Sequence, residues 1–130
     1  MFQVIRRDLI QAIRKKRPEL SQNLENVLFH QDNAPAHTAA MTQLEIGLLG
    51  FDQIRHAPYS PDLAPMDFAV FPYVKAQLRG IRFKNFSELK CATLNAVRKL
   101  DSEWCRSTYD KWVQRHMKCV RMNGVYFEKE

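Results

Sequence analysis

Val27-Leu28-Phe29-His30-Gln31-Asp32-Asn33-Ala34-Pro35-Ala36-His37 passes from a short apolar run into a proline-containing phrase, and it decides how this 130-residue chain is read. The apolar run predicts a buried strand over residues 26–31 that delivers Asp32 to the strand end. A second aspartate, Asp67, closes Pro58-Tyr59-Ser60-Pro61-Asp62-Leu63-Ala64-Pro65-Met66-Asp67-Phe68, with 34 residues between the two acids. That interval has room for a helix, a weaker strand over residues 51–57 and a loop stiffened by Pro58, Pro61 and Pro65. Parallel strands joined by a crossover helix end on the same edge of a sheet, so the two carboxylates are expected to converge. Carboxylates placed together in this way point to metal-dependent work on phosphates.

Outward from this pair the chain reads as mostly helical. Ile5, Leu9, Ala12 and Ile13 predict an amphipathic helix over residues 2–16, stopped by Pro18. Thr38 is a plausible N-cap for a helix lined on one side by Ala40, Leu44 and Leu48 and ended by Gly50. Residues 67–78 carry a stripe of Phe68, Phe71, Val74 and Leu78, and Pro72 predicts a kink or a late start. Ser87 is expected to cap a helix with Leu89, Ala92, Ala96 and Val97 on one side. A last helix starts at Asp101 or Ser102, with Cys105, Tyr109, Trp112, His116 and Val120 as its apolar stripe and Asn123-Gly124 as its stop. Trp104 and Trp112 read as core anchors rather than a base-stacking platform.

The composition is that of one soluble, intracellular domain. Hydrophobic residues make up 45% of the chain, no apolar run nears the ~20 residues of a membrane span, and the start lacks a signal-peptide pattern. A chain this long can afford a core. Cys91, Cys105 and Cys119 are an odd number with no Cys-x-x-Cys pair. Cys105 and Cys119, if on one helix, lie ~21 Å apart, too far for a disulfide, and reduced thiols are expected. The net charge of +6 and a pI near 9.4 favour a polyanionic partner. Of the basic clusters, Lys75, Arg79, Arg82 and Lys84 follow Asp67 most closely and are the expected DNA-phosphate contacts, against the plain alternative of a solvated face.

The phrases His30-Gln31-Asp32-Asn33-Ala34-Pro35-Ala36-His37 and Tyr59-Ser60-Pro61-Asp62-Leu63-Ala64-Pro65-Met66-Asp67-Phe68, at their 34-residue spacing, closely resemble the signatures of mariner-like transposases. Leu78-Arg79-Gly80-Ile81-Arg82-Phe83 and the ending from Trp112 to Lys129 resemble that family's C-terminal region, so the likeness covers nearly the whole chain. The resemblance implies an α/β, ribonuclease H-like catalytic domain that cuts transposon ends and joins them to target DNA with Mg2+ or Mn2+. Asp32 and Asp67 then stand as the second and third catalytic, metal-holding acids, with Asn33 orienting Asp32 or a metal-bound water. DNA is the implied partner, with a possible homodimer or complementing upstream polypeptide, and a nuclear location is expected.

Residues 1–130 are expected to form a partial catalytic domain, with the two acids in 27–67 and a helical C-terminal part over 84–130. The fold is expected to be truncated, lacking the first antiparallel strands and the first catalytic acid. Asp8 sits in a predicted helix and cannot replace that acid. Two dications ~4 Å apart repel by about 17 kcal/mol at an effective dielectric of ~20, and bridging anions must offset this. With two carboxylates, at most one weakly held ion is expected, and the isolated chain is expected to be inactive.

Other readings compete. Asp32 and Asp67 could each cap a helix, and Asp62 reads as a turn former. His30, His37 and His56 could suggest zinc, but no His pair has one-turn helical spacing. The whole chain could be a non-catalytic DNA-binding or interaction module, or a decayed copy with no function.

Overall fold

Arg17 leaves the helical conformation, with φ −142°, and Pro18 opens the next helix, so the first helical segment ends where the sequence predicts. The structure, a computed structural model, describes residues 4–125, and only the backbone of residues 4–6. The chain divides into two units, Met1–Pro58 and Tyr59–Glu130.

In the first unit a π-helical stretch, Val4–Leu9, leads into α1 (Ile10–Lys16), followed by α2 (Pro18–Ser21) and a 3-10 turn, Leu24–Asn26. Then come β1 (Leu28–His30), α3 (Pro35–Thr38), α4 (Ala40–Leu49) and β2 (Asp52–Ile54). The two strands pair in parallel, Leu28 with Asp52, Phe29 with Gln53 and His30 with Ile54. This is the expected strand–helix–strand crossover, with shorter strands. Gly50 ends α4 at φ 80°, a left-handed conformation that a side chain would strain.

Ile10, Ile46 and Phe51 form the core of this unit, with Leu9, Ile13, Val27 and Phe29 packed against it. The Phe29 and Phe51 rings lie 5.3 Å apart. Three expectations need correction here. β1 is not a buried strand: alternation turns Phe29 to the core and leaves Leu28 58% exposed on the other face. In α4 the buried side is Thr42, Glu45 and Ile46, while Leu44 and Leu48 face out. That helix is apolar most of the way round, so its pattern does not select a face. In the first helical segment Ile10 is buried and Ala12 exposed, and the side chain of Ile5 lies outside the described residues.

The second unit opens with a 3-10 turn, Pro61–Leu63, and a π-helical turn, Met66–Val70, that runs into α5 (Phe71–Leu78). Helical backbone runs without a break from Met66 into α5, so the late start expected at Pro72 is not seen; the π-helical turn just before Pro72 takes up the irregularity instead. α6 (Phe86–Arg98) and α7 (Ser102–Arg121) complete it. The cap of α6 is Asn85, not Ser87. Asn85 Oδ1 accepts the Glu88 N–H at 2.9 Å while the Glu88 carboxylate accepts the Lys84 N–H at 2.9 Å. Asp101 caps α7 through the Trp104 N–H at 2.7 Å, and Asn123 and Gly124 follow with φ 53° and 83°.

Leu63, Ala64 and Ala96 are buried in this unit, as is Thr108 of α7. The expected α7 stripe is rotated: Cys105, Tyr109 and Val120 are exposed, and Trp112 donates its indole N–H to the Leu63 carbonyl at 2.8 Å. A tertiary hydrogen bond and the packing around Thr108 choose the inward side, against the apolar pattern. Cys105 and Cys119 do share α7, and all three thiols are free. No described helix is long and apolar enough to cross a membrane.

Candidate functional site

Two residues beyond β1 the chain leaves the sheet, and the side chain of Asp32 fixes the exit. Its Oδ1 accepts the Ala34 N–H at 3.1 Å, an Asx turn that aligns Pro35 at the first position of α3. His37 on α3 then reaches back, its Nδ1 2.5 Å from the same oxygen. The end of α3 is held in turn. Gln43 Nε2 donates to the His37 carbonyl at 2.7 Å and Thr42 Oγ1 to the Ala36 carbonyl at 2.9 Å, using carbonyls that a helix end leaves open. Thr38 is the last residue of α3 and not the cap of α4, whose N-cap position is Ala39.

The Ala34 N–H holds the Asp32 carboxyl below its ordinary range; partial burial opposes this, and the hydrogen bond and charge of His37 add to it. Asp32 is therefore an anion at neutral pH, with a side chain 44% exposed. Asn33 binds the opposite strand's exit, donating from Nδ2 to the His56 carbonyl at 2.9 Å. His56 in turn meets His30, ring nitrogens 3.2 Å apart and planes at 73°. Asp32, Asn33, Gln31, Gln43, Arg55 and His56 line part of a cavity of about 440 Å3. Asp32 caps no helix with its side chain, but it does form the turn that starts one.

Asp67 is the second residue of the Met66–Val70 turn, half-buried, with its N–H bonded to the Ala64 carbonyl at 2.9 Å. It is not an N-cap, since its carboxylate makes no hydrogen bond among the described residues. Asp62 proves to be buried within its turn. Its carbonyl accepts from Arg115 Nη1 at 3.1 Å, and its Oδ1 has no hydrogen-bond partner among the described residues. The Arg115 guanidinium also lies 4.3 Å from the centre of the Phe68 ring.

Of the basic residues, Lys75 on α5 and Arg79, just past its end, line a shallow groove with Pro72, and Arg82 and Lys84 are exposed in the loop before α6. Asp8 is exposed within a helical segment, as expected. No group of three or more His, Cys, Asp or Glu side chains among the described residues could hold a metal ion. The three histidines near Asp32 are engaged in two separate pairs. Oxygen donors suit a hard cation, and Mg2+ is commonly held by one or two protein carboxylates plus water, so an ionised, part-exposed Asp32 fits that ion better than zinc. The sequence singled out Asp32 but not its dependence on His37, although a histidine five residues on, across a proline-started turn, was the available signal.

Known proteins bear on these features directly. No family model matches the chain. It is 34% identical over 121 residues to the Mariner Mos1 transposase of Drosophila mauritiana, covering 93% of this chain and 35% of that protein. It is 34% identical over 102 residues to the human histone-lysine N-methyltransferase SETMAR, covering 78% of this chain and 15% of that protein. The crystal structure of the Mos1 catalytic domain superposes with a TM-score of 0.86 at 35% identity, covering 93% of this chain and 59% of that one. The same domain solved with Raltegravir and Mg gives 0.85, covering 93% and 60%, and a Mos1 paired-end complex with the left transposon end gives 0.83, covering 93% and 34%. Both are 35% identical to this chain.

The chain belongs to the mariner-like transposases, matching part of their catalytic domain. It spans about a third of the length of Mos1 transposase.

Proposed function

We propose that this chain is part of a transposase catalytic domain in which Asp32 and Asp67 are the second and third metal-holding acids. Lys75, Arg79, Arg82 and Lys84 contact DNA phosphates, and the setting is the nucleus. The observation that carries the reading is Asp32 itself: an ionised carboxylate just past a parallel strand, within a phrase matching the family's. Mos1 structures solved with Mg and with Mn, and with transposon ends, support a divalent cation and DNA as the ligands. A bound dication would polarise a phosphate oxygen and activate the attacking water or hydroxyl. Asp32 and Asp67 would hold it, and Asn33, tied to the His56 carbonyl, would keep the loop around Asp32 in place.

Residues 1–130 contain no match to the family's first acid, and that carboxylate would be the anion between two dications. The purified chain is therefore expected to bind duplex DNA with an affinity that falls steeply with salt, and not to nick it in Mg2+. Nicking that Asp67→Ala abolishes would overturn the inactivity. DNA binding indifferent to salt would remove the basic face from the account. A second reading, a binding module without catalysis, draws on the exposure of Lys75 and Arg79 along one groove; it alone predicts that Mg2+ has no effect on DNA affinity in the unmodified chain and in Asp32→Asn alike.

A further inference from the structure

Between α5 and α7 of the second unit lies a cavity of about 450 Å3 that the two acids do not line. Its volume is in the roughly 300–1,000 Å3 range of small-ligand clefts. One wall is a single face of α7, where Trp104, Thr108, Lys111 and Arg115 recur at helical spacing. Phe68, Ala69 and Tyr73 also line the cavity. The Tyr73 and Trp104 rings touch, centroids 5.7 Å apart and tilted by 58°, so together they make one continuous apolar surface.

Among the described residues that line the cavity, two are cations and none is a carboxylate. Arg115 is fixed in place by the Asp62 carbonyl and the Phe68 ring, while Lys111 is exposed and has no ion-pair partner among the described residues. Thr108, 8% exposed, adds a hydroxyl at the base. Aromatic faces beside cations match a ligand that is a flat ring joined to an anion.

We infer that this cavity takes one unstacked nucleotide of a single-stranded nucleic acid, its base against Trp104 and Tyr73 and its phosphate at Lys111 and Arg115. A base in a duplex is stacked on its neighbours and cannot present its face, so the site prefers single strands. Trp104 then has a use besides packing. The inference does not require Asp32 or Asp67 to hold metal, so a chelator in the assay separates the two.

The test is fluorescence anisotropy of the full chain, in chelator, with a short oligodeoxythymidylate and with an abasic strand of the same length and charge. Loss of the bases is expected to weaken binding about 5- to 150-fold, the range for one stacked base. Lys111→Glu is expected to weaken the base-bearing strand and lower the salt slope by about one. Trp104→Leu should narrow the gap between the two strands, and if that variant fails to fold, the two strands compared on the unmodified chain still decide. Equal affinity for the abasic and base-bearing strands, or binding unmoved by Lys111→Glu, would each overturn the inference.

Discussion

Asp32 and Asp67 occupy similar phrases in the sequence but opposite kinds of surroundings. Asp32 is built into its own loop: one oxygen holds the Ala34 N–H and the His37 ring, and the helix bearing His37 is tied down by Gln43 and Thr42. Among the described residues the Asp67 side chain holds no hydrogen bond, and its turn is placed by others. Its turn follows Leu63, whose carbonyl is bound by Trp112, and contains Phe68, which lies against Arg115. One acid organises a local motif, and the other depends on a helix far along the chain. Substitutions near the first should therefore act locally, and substitutions in α7 should disturb the second without touching its motif.

The largest expected effect is at the core of the first unit. Ile46 is fully buried, and Ile46→Ala should lower stability by about 4 kcal/mol in urea unfolding, within the usual range for deleting a buried aliphatic side chain. Trp112→Ala should lower it by about 3 kcal/mol, because the half-buried indole also leaves the Leu63 carbonyl without its donor. If the comparison is right, this variant also changes the environment of Asp67 and leaves that of Asp32 intact, which carboxylate NMR shifts would report. Asp101→Ala and Asn85→Ala, each removing a helix cap, should cost about 1 kcal/mol apiece by the same unfolding measurement.

The smallest effect is a pH dependence confined to the first acid. The folded-state value of Asp32 lies below the ordinary 3.8, so its contribution is present above about pH 4 and is lost as pH falls through the lowered value. Asp32→Asn should flatten the acid limb of the stability–pH curve, and His37→Ala should flatten it in part, since the Ala34 N–H remains. An acid limb unchanged in both variants would show that Asp32 is not held as described.

The first motif was legible because its chemistry is local. Asp32 just past an apolar run marks the strand end, and Gly50 predicts the end of α4. The parallel pairing followed from the length of the connection. What the sequence concealed was which side of a helix turns inward. α4 is apolar most of the way round, and in α7 the polar atoms of Trp112 and Arg115 seek carbonyls in the Pro61–Leu63 turn, a partner no periodicity can announce. The cap of α6 was readable and was passed over, since Asn85-x-x-Glu88 is a capping signature two residues ahead of Ser87. The polar contact of His37 with Asp32 was within reach for the same reason, whereas the buried place of Asp62 depends on α7 and was not.

Tyr59 follows Pro58, the last residue of the first unit, and its ring is 100% exposed while its backbone sits at φ 53°. A bulky residue in that conformation carries strain and buries nothing. A chymotryptic nick there would part the Asp32-bearing piece from the Asp67-bearing piece without cutting through any core side chain.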